Sequence, residues 1–199
     1  MTQQEWPVRL AHTVATEVQK HRRRRGMSAQ DLANTCGELG VPFSRSAIAN
    51  FESGRRPSIS LAELLVLARA LGVAPVLLVF PLGGQAEAQV PPGETVDTWD
   101  AVRWFAGDTV DALPTDDEYP SVVEDYRWHD DLIAQWRRAR KDLDELLLTD
   151  NPDQKLIAAH NGLLAAIRGN LAAGRKRLRN DGLMPPKLPP GLADLREET

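Results

Sequence analysis

Apolar positions recur at helical spacing along most of this chain. Leu10, Ala11, Val14 and Val18 line one face of a segment that starts at Trp6-Pro7, where proline suits a first turn, and stops at Gly26. Leu32, Ala33 and Cys36 mark a second helix. Ser28 is positioned to cap it and Asp31 to answer the cap, with Gly37 and Gly40 as its exits. Val41-Pro42-Phe43 reads as a turn. A third helix then runs from Ser44 to Glu52, with Ile48 and Phe51 inward and Ser53-Gly54 at its end. Ser60 and Glu63 predict a capping box for a fourth helix through Leu64, Leu65, Ala68 and Leu71, stopped by Gly72. Ala74-Pro75 opens a short fifth through Phe80, and Leu82-Gly83-Gly84 reads as a hinge.

Further on, Gln85 to Gly93 is proline-broken, with a strand or arm as its possible form. Asp97 can cap a short helix over 97–107 carrying Trp99, Trp104 and Phe105. These aromatics point to docking on the rest of the chain or to a pocket for an effector or protein. Asp108 to Tyr119 reads as an acidic loop. From 121 onward Leu132, Trp136, Ala139, Leu143 and Leu146 step by four, three, four, three. After a break at Thr149 to Pro152, with Asn151 as the expected cap, Ile157, His160, Leu164, Ile167, Leu171, Gly174 and Leu178 repeat the seam. Two such helices joined by a short turn predict an antiparallel hairpin over 121–181. Pro185, Pro186, Pro189 and Pro190 then predict a loose tail over 182–199.

The pattern gives an all-α chain: a five-helix domain over 1–81, a linker over 82–120 holding the short helix, the hairpin, and the tail. The length of 199 residues allows one good core or two small ones. Net charge is −4, which at first argues against a nucleic-acid partner. Its distribution reverses that. Lys20 to Arg56 holds eight Lys/Arg against three Asp/Glu, whereas Gln85 to Asp131 holds two against thirteen. Salt screens charges beyond about 8–10 Å, so a basic face acts locally even on an acidic body.

The third helix leaves Arg45, Ser46, Ala49 and Asn50 on its outer side. A helix fits the major groove, where Arg45 can fork onto guanine O6 and N7, Asn50 onto adenine N6 and N7, and Ser46 onto either partner. A wetted surface helix would show the same pattern. Arg23, Arg24, Arg25, Arg55 and Arg56 flank the pair of helices and suit phosphate contact, which sets affinity and register. The first three also complement the negative end of their helix.

The segment from Val18 to about Phe80 resembles the Xre/Cro-type helix-turn-helix domain of phage repressors and many bacterial regulators. The residues that carry the likeness are Arg22, Gly26-Met27-Ser28, Asp31-Leu32-Ala33, Ser44 to Ile48, Phe51 to Pro57, and Leu64 to Val73. The resemblance implies a repressor-like fold with the recognition helix at 44–52, base contacts at Arg45, Ser46 and Asn50, and Ser44 near phosphate. It also implies a structural pair between Arg22 and Glu52. The sequence departs from the family at Ala29, where a phosphate-holding Gln is common, and in the long connection Gly37 to Pro42, which predicts about one extra helical turn.

Regulators of this kind bind double-stranded DNA as dimers, so the hairpin is expected to form a homodimer, its leucines and Trp136 building a shared coiled-coil core. The alternatives are an antitoxin-like or adaptor protein gripping a protein partner through its C-terminal helices, and a pure interaction module. Four scattered histidines, one cysteine and no phosphate-cradling glycine loop give no enzyme, cofactor or metal constellation. Asp116-Asp117-Glu118 reads as a solvated acidic run, and His129 with Asp130 and Asp131 as helix neighbours that do not face one another. No signal peptide or membrane span is expected, which places the chain in a cytoplasm.

Overall fold

The computed structural model describes residues 5–108, 110–114 and 122–196. The chain is all-α in class, with one small antiparallel β-hairpin. It divides into two compact units, Met1–Thr115 and Asp116–Thr199.

In the first unit α1 spans Trp6–Arg24, α2 Ala29–Glu38, α3 Arg45–Glu52, α4 Leu61–Leu71 and α5 Val76–Val79. Local chemistry sets the boundaries. The Ser28 hydroxyl accepts from the Asp31 N–H while the Asp31 carboxylate accepts from the Ser28 N–H, and Ser60 with Glu63 repeats the arrangement. Each such cap satisfies donors that would otherwise be orphaned, at about 1 kcal/mol per cap. Gly72 closes α4 in the left-handed region, at φ 63°, with the Arg25 guanidinium 2.6 Å from where a Cβ would stand. Gly37 lies inside α2, which continues to Glu38, and Gly40 alone supplies the left-handed exit at φ 89°. Part of the inserted stretch Gly37 to Pro42 is thus added helix, and residues 39–44 connect α2 to α3.

Val14, Val18, Leu32, Cys36, Ile48, Phe51, Leu67, Leu71 and Leu78 fill one core among these helices. This unit does not close at residue 81. β1 (Glu87–Gln89) and β2 (Thr95–Asp97) pair antiparallel, with Ala88 opposite Val96, and lead directly into α6 (Thr98–Phe105). Ala88, Val90, Ala101, Val102 and Leu113 join the same core. The Arg9 guanidinium donates to Gln89 Oε1 at 2.7 Å, and Thr98 Oγ1 to the Gln85 carbonyl at 2.9 Å. What reads as a linker over 82–120 is therefore, over its described residues, a further layer of the first unit. Its few apolar residues gain their burial from α1 and α5. Trp99, Trp104 and Phe105 remain substantially exposed, while the Phe105 ring edge meets Phe80. The acidic run Asp116-Asp117-Glu118 lies outside the described residues.

The second unit is a hairpin of α7 (Val122–Leu147) and α8 (Gln154–Asn180). Asp153, rather than Asn151, caps α8, accepting from the Lys155 and Leu156 N–H groups. Leu132, Ala139 and Leu143 meet Leu164, Ile167 and Leu171 along the seam. The tail is not loose. Leu188, Leu192 and Leu195 are buried against that seam, and Pro190–Arg196 forms 3-10 turns kinked at Leu192. Trp136 packs on Gly191, which has no room for a side chain. Arg168 pairs with Asp194, and Arg175 donates to the Pro186 carbonyl at 2.7 Å. Two helices alone bury little apolar surface, so the prolines fix an extended strap that carries three leucines over the groove.

Candidate nucleic-acid interface

The α3 helix has two sides with opposite chemistry. Ile48 and Phe51 are buried, at 0% and 3% exposure, and anchor it to the core. Arg45, Ser46, Ala49 and Asn50 are exposed and line a shallow surface concavity of about 500 Å³ with Ser44. Ser44 Oγ accepts from the Ala47 N–H at 3.0 Å and lies 2.9 Å from Ser46 Oγ, so the cap and its neighbour are coupled. The Asn50 Oδ1 meets Arg55 Nη1 at 3.5 Å, at the weak limit of a hydrogen bond. Arg45 makes no hydrogen bond or ion pair among the described residues. Its fork of donors is unspent.

A deeper contact fixes the angle of this helix. Arg22 on α1 grips Glu52 with both prongs, Nε to Oε1 at 2.6 Å and Nη2 to Oε2 at 2.6 Å. The remaining Nη1 donates to the Met27 carbonyl at 2.6 Å. The two side chains are 12% and 6% exposed. One guanidinium thus joins the end of α1, the turn before α2 and the end of α3. The Glu52 hydrogen bonds raise the Arg22 pKa against the opposing effect of burial, so the guanidinium stays charged. Gln19, one turn earlier on α1, reaches Glu52 Oε2 at 3.4 Å. That contact was readable only as an i,i+3 neighbour of Arg22.

The flanking arginines divide into two groups. Arg23 and Arg24 are exposed and make no hydrogen bond or ion pair through their side chains among the described residues. Arg25 instead lies against the C-terminal end of α4, 3.4 Å from the Ala70 carbonyl. Arg56 pairs with Glu63 at 2.8 Å, and Arg55 leans on Asn50. Burial would raise the Glu63 carboxyl, but hydrogen bonds from Arg56 and from Ser60 prevail and hold it below the usual range. Asp31 is likewise held low, first by the Ser28 N–H. His12 sits against Gly54, its Nδ1 2.8 Å from a would-be Cβ, so the loop after α3 needs glycine there for both space and its φ of 73°. Neither His12 nor Gln19 stands out in the sequence.

Ala29 is half-buried at the start of α2 and brings no polar group, leaving only the backbone N–H groups of that turn to meet an anion. Cys36 is buried, and burial pushes its thiol up to about 11, which keeps it an inert apolar filler. Among the described residues no group of His, Cys, Asp or Glu is arranged to hold a metal, and no helix is long and apolar enough to cross a membrane.

Residues 14–79 match the family model of a helix-turn-helix domain, a span that takes in all of α2 to α5 and most of α1. The first unit therefore contains a helix-turn-helix domain of the DNA-binding kind, with α2 and α3 as its paired helices. No curated protein and no solved structure shows significant similarity to the chain.

Proposed function

We propose that this protein is a sequence-specific transcriptional regulator of the Xre/Cro type, with α3 lying in the major groove of double-stranded DNA and two copies acting on one operator. The outer face of α3 carries the reading. It presents Arg45, Ser46 and Asn50 on a helix whose other side is locked into the core, and Arg45 has no competing partner among the described residues. Arg45 forks onto a guanine, Asn50 takes an adjacent adenine through the oxygen and nitrogen of its amide, and Ser46 adjusts to its neighbour. Ser44 Oγ already accepts from the Ala47 N–H and shares one hydrogen bond with Ser46 Oγ, which leaves the pair one hydroxyl proton for a phosphate oxygen.

Arg23 and Arg24 supply the sequence-independent attraction, being exposed and unengaged among the described residues. Arg55 is close behind, held only by a weak contact. Arg25 and Arg56 reach phosphate only by giving up the Ala70 carbonyl and Glu63, so they contribute less. The Arg22–Glu52 pair acts on DNA through geometry alone. A second copy would set the two α3 helices one turn of duplex apart, about 34–36 Å.

The test is selection of bound oligonucleotides from a random pool with the full-length protein. The expected product is a two-fold symmetric site with a guanine-adenine step in each half. Arg45→Ala should then cost about 1–3 kcal/mol on that site and relax preference at the guanine. Unchanged affinity in that variant refutes the assigned face.

A further inference from the structure

The α8 helix is apolar on the wrong side. From Leu156 to Ile167 it contains no Asp, Glu, Lys or Arg. Only part of that segment faces α7: Leu164 and Ile167 are buried and Ile157 half-buried. Leu156 and Leu163, seven residues apart and so on one stripe, are 49% and 50% exposed, with Ala159 and Ala166 between and beyond them. The outward face of α7 is the opposite, carrying exposed Arg137, Arg138, Lys141, Asp142 and Glu145. Solvated helices keep an ionic outer face, as α7 does. A helix uncharged on every side is normally covered. The inner groove cannot supply the cover, because the strap of Leu188, Leu192 and Leu195 already fills it.

We infer that the outer face of α8 is a self-association surface, occupied by α8 of a second copy running antiparallel. The inference rests on the proposed regulator reading for its need of two copies, and on α8 for its geometry. The stripe is self-complementary. With Ala166 on the two-fold axis, Leu163 of one copy falls on Gly169 of the other and Ala159 on Ala173. Gly169 and Gly162 have nothing within 4 Å of a would-be Cβ, so a leucine has open space to enter. The ends differ in charge. Asp150 and Asp153 outnumber Lys155 at the start, while Lys176, Arg177 and Arg179 outnumber Asp181 at the end, Arg177 also pairing with Asp125. An antiparallel copy brings the acidic end of each α8 to the basic end of the other, which a parallel copy would not. The self-paired stripe from Ala159 to Ala173 is about 21 Å long, with Leu156 beyond it against the aliphatic stem of Lys176, enough to make a four-helix contact with α7 on the outside.

The experiment uses full-length protein in sedimentation velocity over a wide concentration range. Wild type should be dimeric, and Leu163→Arg should dissociate at least tenfold more readily with an unchanged circular dichroism spectrum. Because a misfolded variant would also fail to pair, Ala166→Cys and Arg137→Cys are oxidised in parallel. Ala166→Cys should form a disulfide-linked dimer and Arg137→Cys, on the ionic face, should not. Wild type that stays monomeric, Leu163→Arg that pairs as wild type does, or linkage at position 137 instead of 166 each overturns the inference. Binding of the selected DNA separates the two readings. A monomer that still binds a half-site leaves the regulator standing without this surface, and an α8 dimer that binds no DNA leaves the surface standing without the regulator.

Discussion

Removing Glu52 isolates how much of the first unit depends on one ionic contact. In Glu52→Ala both short bonds to Arg22 vanish, and a guanidinium only 12% exposed keeps a single acceptor, the Met27 carbonyl. Truncating one partner of a buried pair costs about 3–5 kcal/mol because the other charge is stranded. Here the stranded group retains one strong hydrogen bond and a path to water at the end of α1, so about 2–3 kcal/mol is expected. Trp6, Trp99 and Trp104 lie in one unit and Trp128 and Trp136 in the other, so fluorescence would blend two transitions. Native-state hydrogen exchange resolves them. The slowest amides of α3, at Ile48 and Phe51, should exchange roughly 30- to 150-fold faster, while α8 amides do not change. The double variant Arg22→Met with Glu52→Leu should recover most of the loss, since removing both charges removes the stranded one. Acceleration of less than about threefold in Glu52→Ala would show that Arg22 is well solvated and that the pair does not hold α3 in place.

Arg24→Ala should weaken binding to all duplexes alike and flatten the logarithmic salt dependence by about one, measured by fluorescence anisotropy at several salt concentrations. His129 is buried, its Nε2 is 3.1 Å from Arg175 Nη1, and burial first and the Arg175 charge second lower its pKa from 6.5, against a weaker pull from Asp130 at 3.7 Å. Its neutral form favours the folded state, so stability of the second unit should be full above about pH 6.5 and fall as pH drops toward the lowered folded value. The slope should not exceed about 1.4 kcal/mol per pH unit, and urea midpoints of α8 amide exchange that are flat from pH 7.5 to 5.5 would contradict this. Leu192→Ala, at a fully buried position in the strap, should destabilise the second unit by about 2–5 kcal/mol and raise exposure of the α7–α8 groove to a hydrophobic dye.

Local chemistry was the legible part of this chain. Ser28 with Asp31, Ser44, and Ser60 with Glu63 act across three residues, so their spacing alone marks where α2, α3 and α4 begin. The α7–α8 seam was legible for the same reason, since a regular period over more than forty residues is hard to produce by chance. Strands of three residues give no period to read, so a strand within Gln85 to Gly93 was one of two options, and its pairing with Thr95–Asp97 and its place in the first core were not visible. The strap was hidden by its prolines, which signal the end of helix but say nothing about where Leu188, Leu192 and Leu195 go. On the candidate interface, the polar side of α3 could be read from Ile48 and Phe51. The engagement of Arg25 by Ala70 and of Arg56 by Glu63 could not, because each depends on a neighbour brought in by the fold.

The leucine strap also sets an order of events during synthesis. Among the described residues, the core of the first unit is complete by residue 113, so that unit can condense while the ribosome is still at work. The groove between α7 and α8 has no such freedom, because its covering leucines are translated last, at 188, 192 and 195. A chain released after residue 185 would carry a finished first unit and, in the second, an uncovered apolar furrow between α7 and α8. Such an intermediate is a natural client for a chaperone and a natural target for a protease.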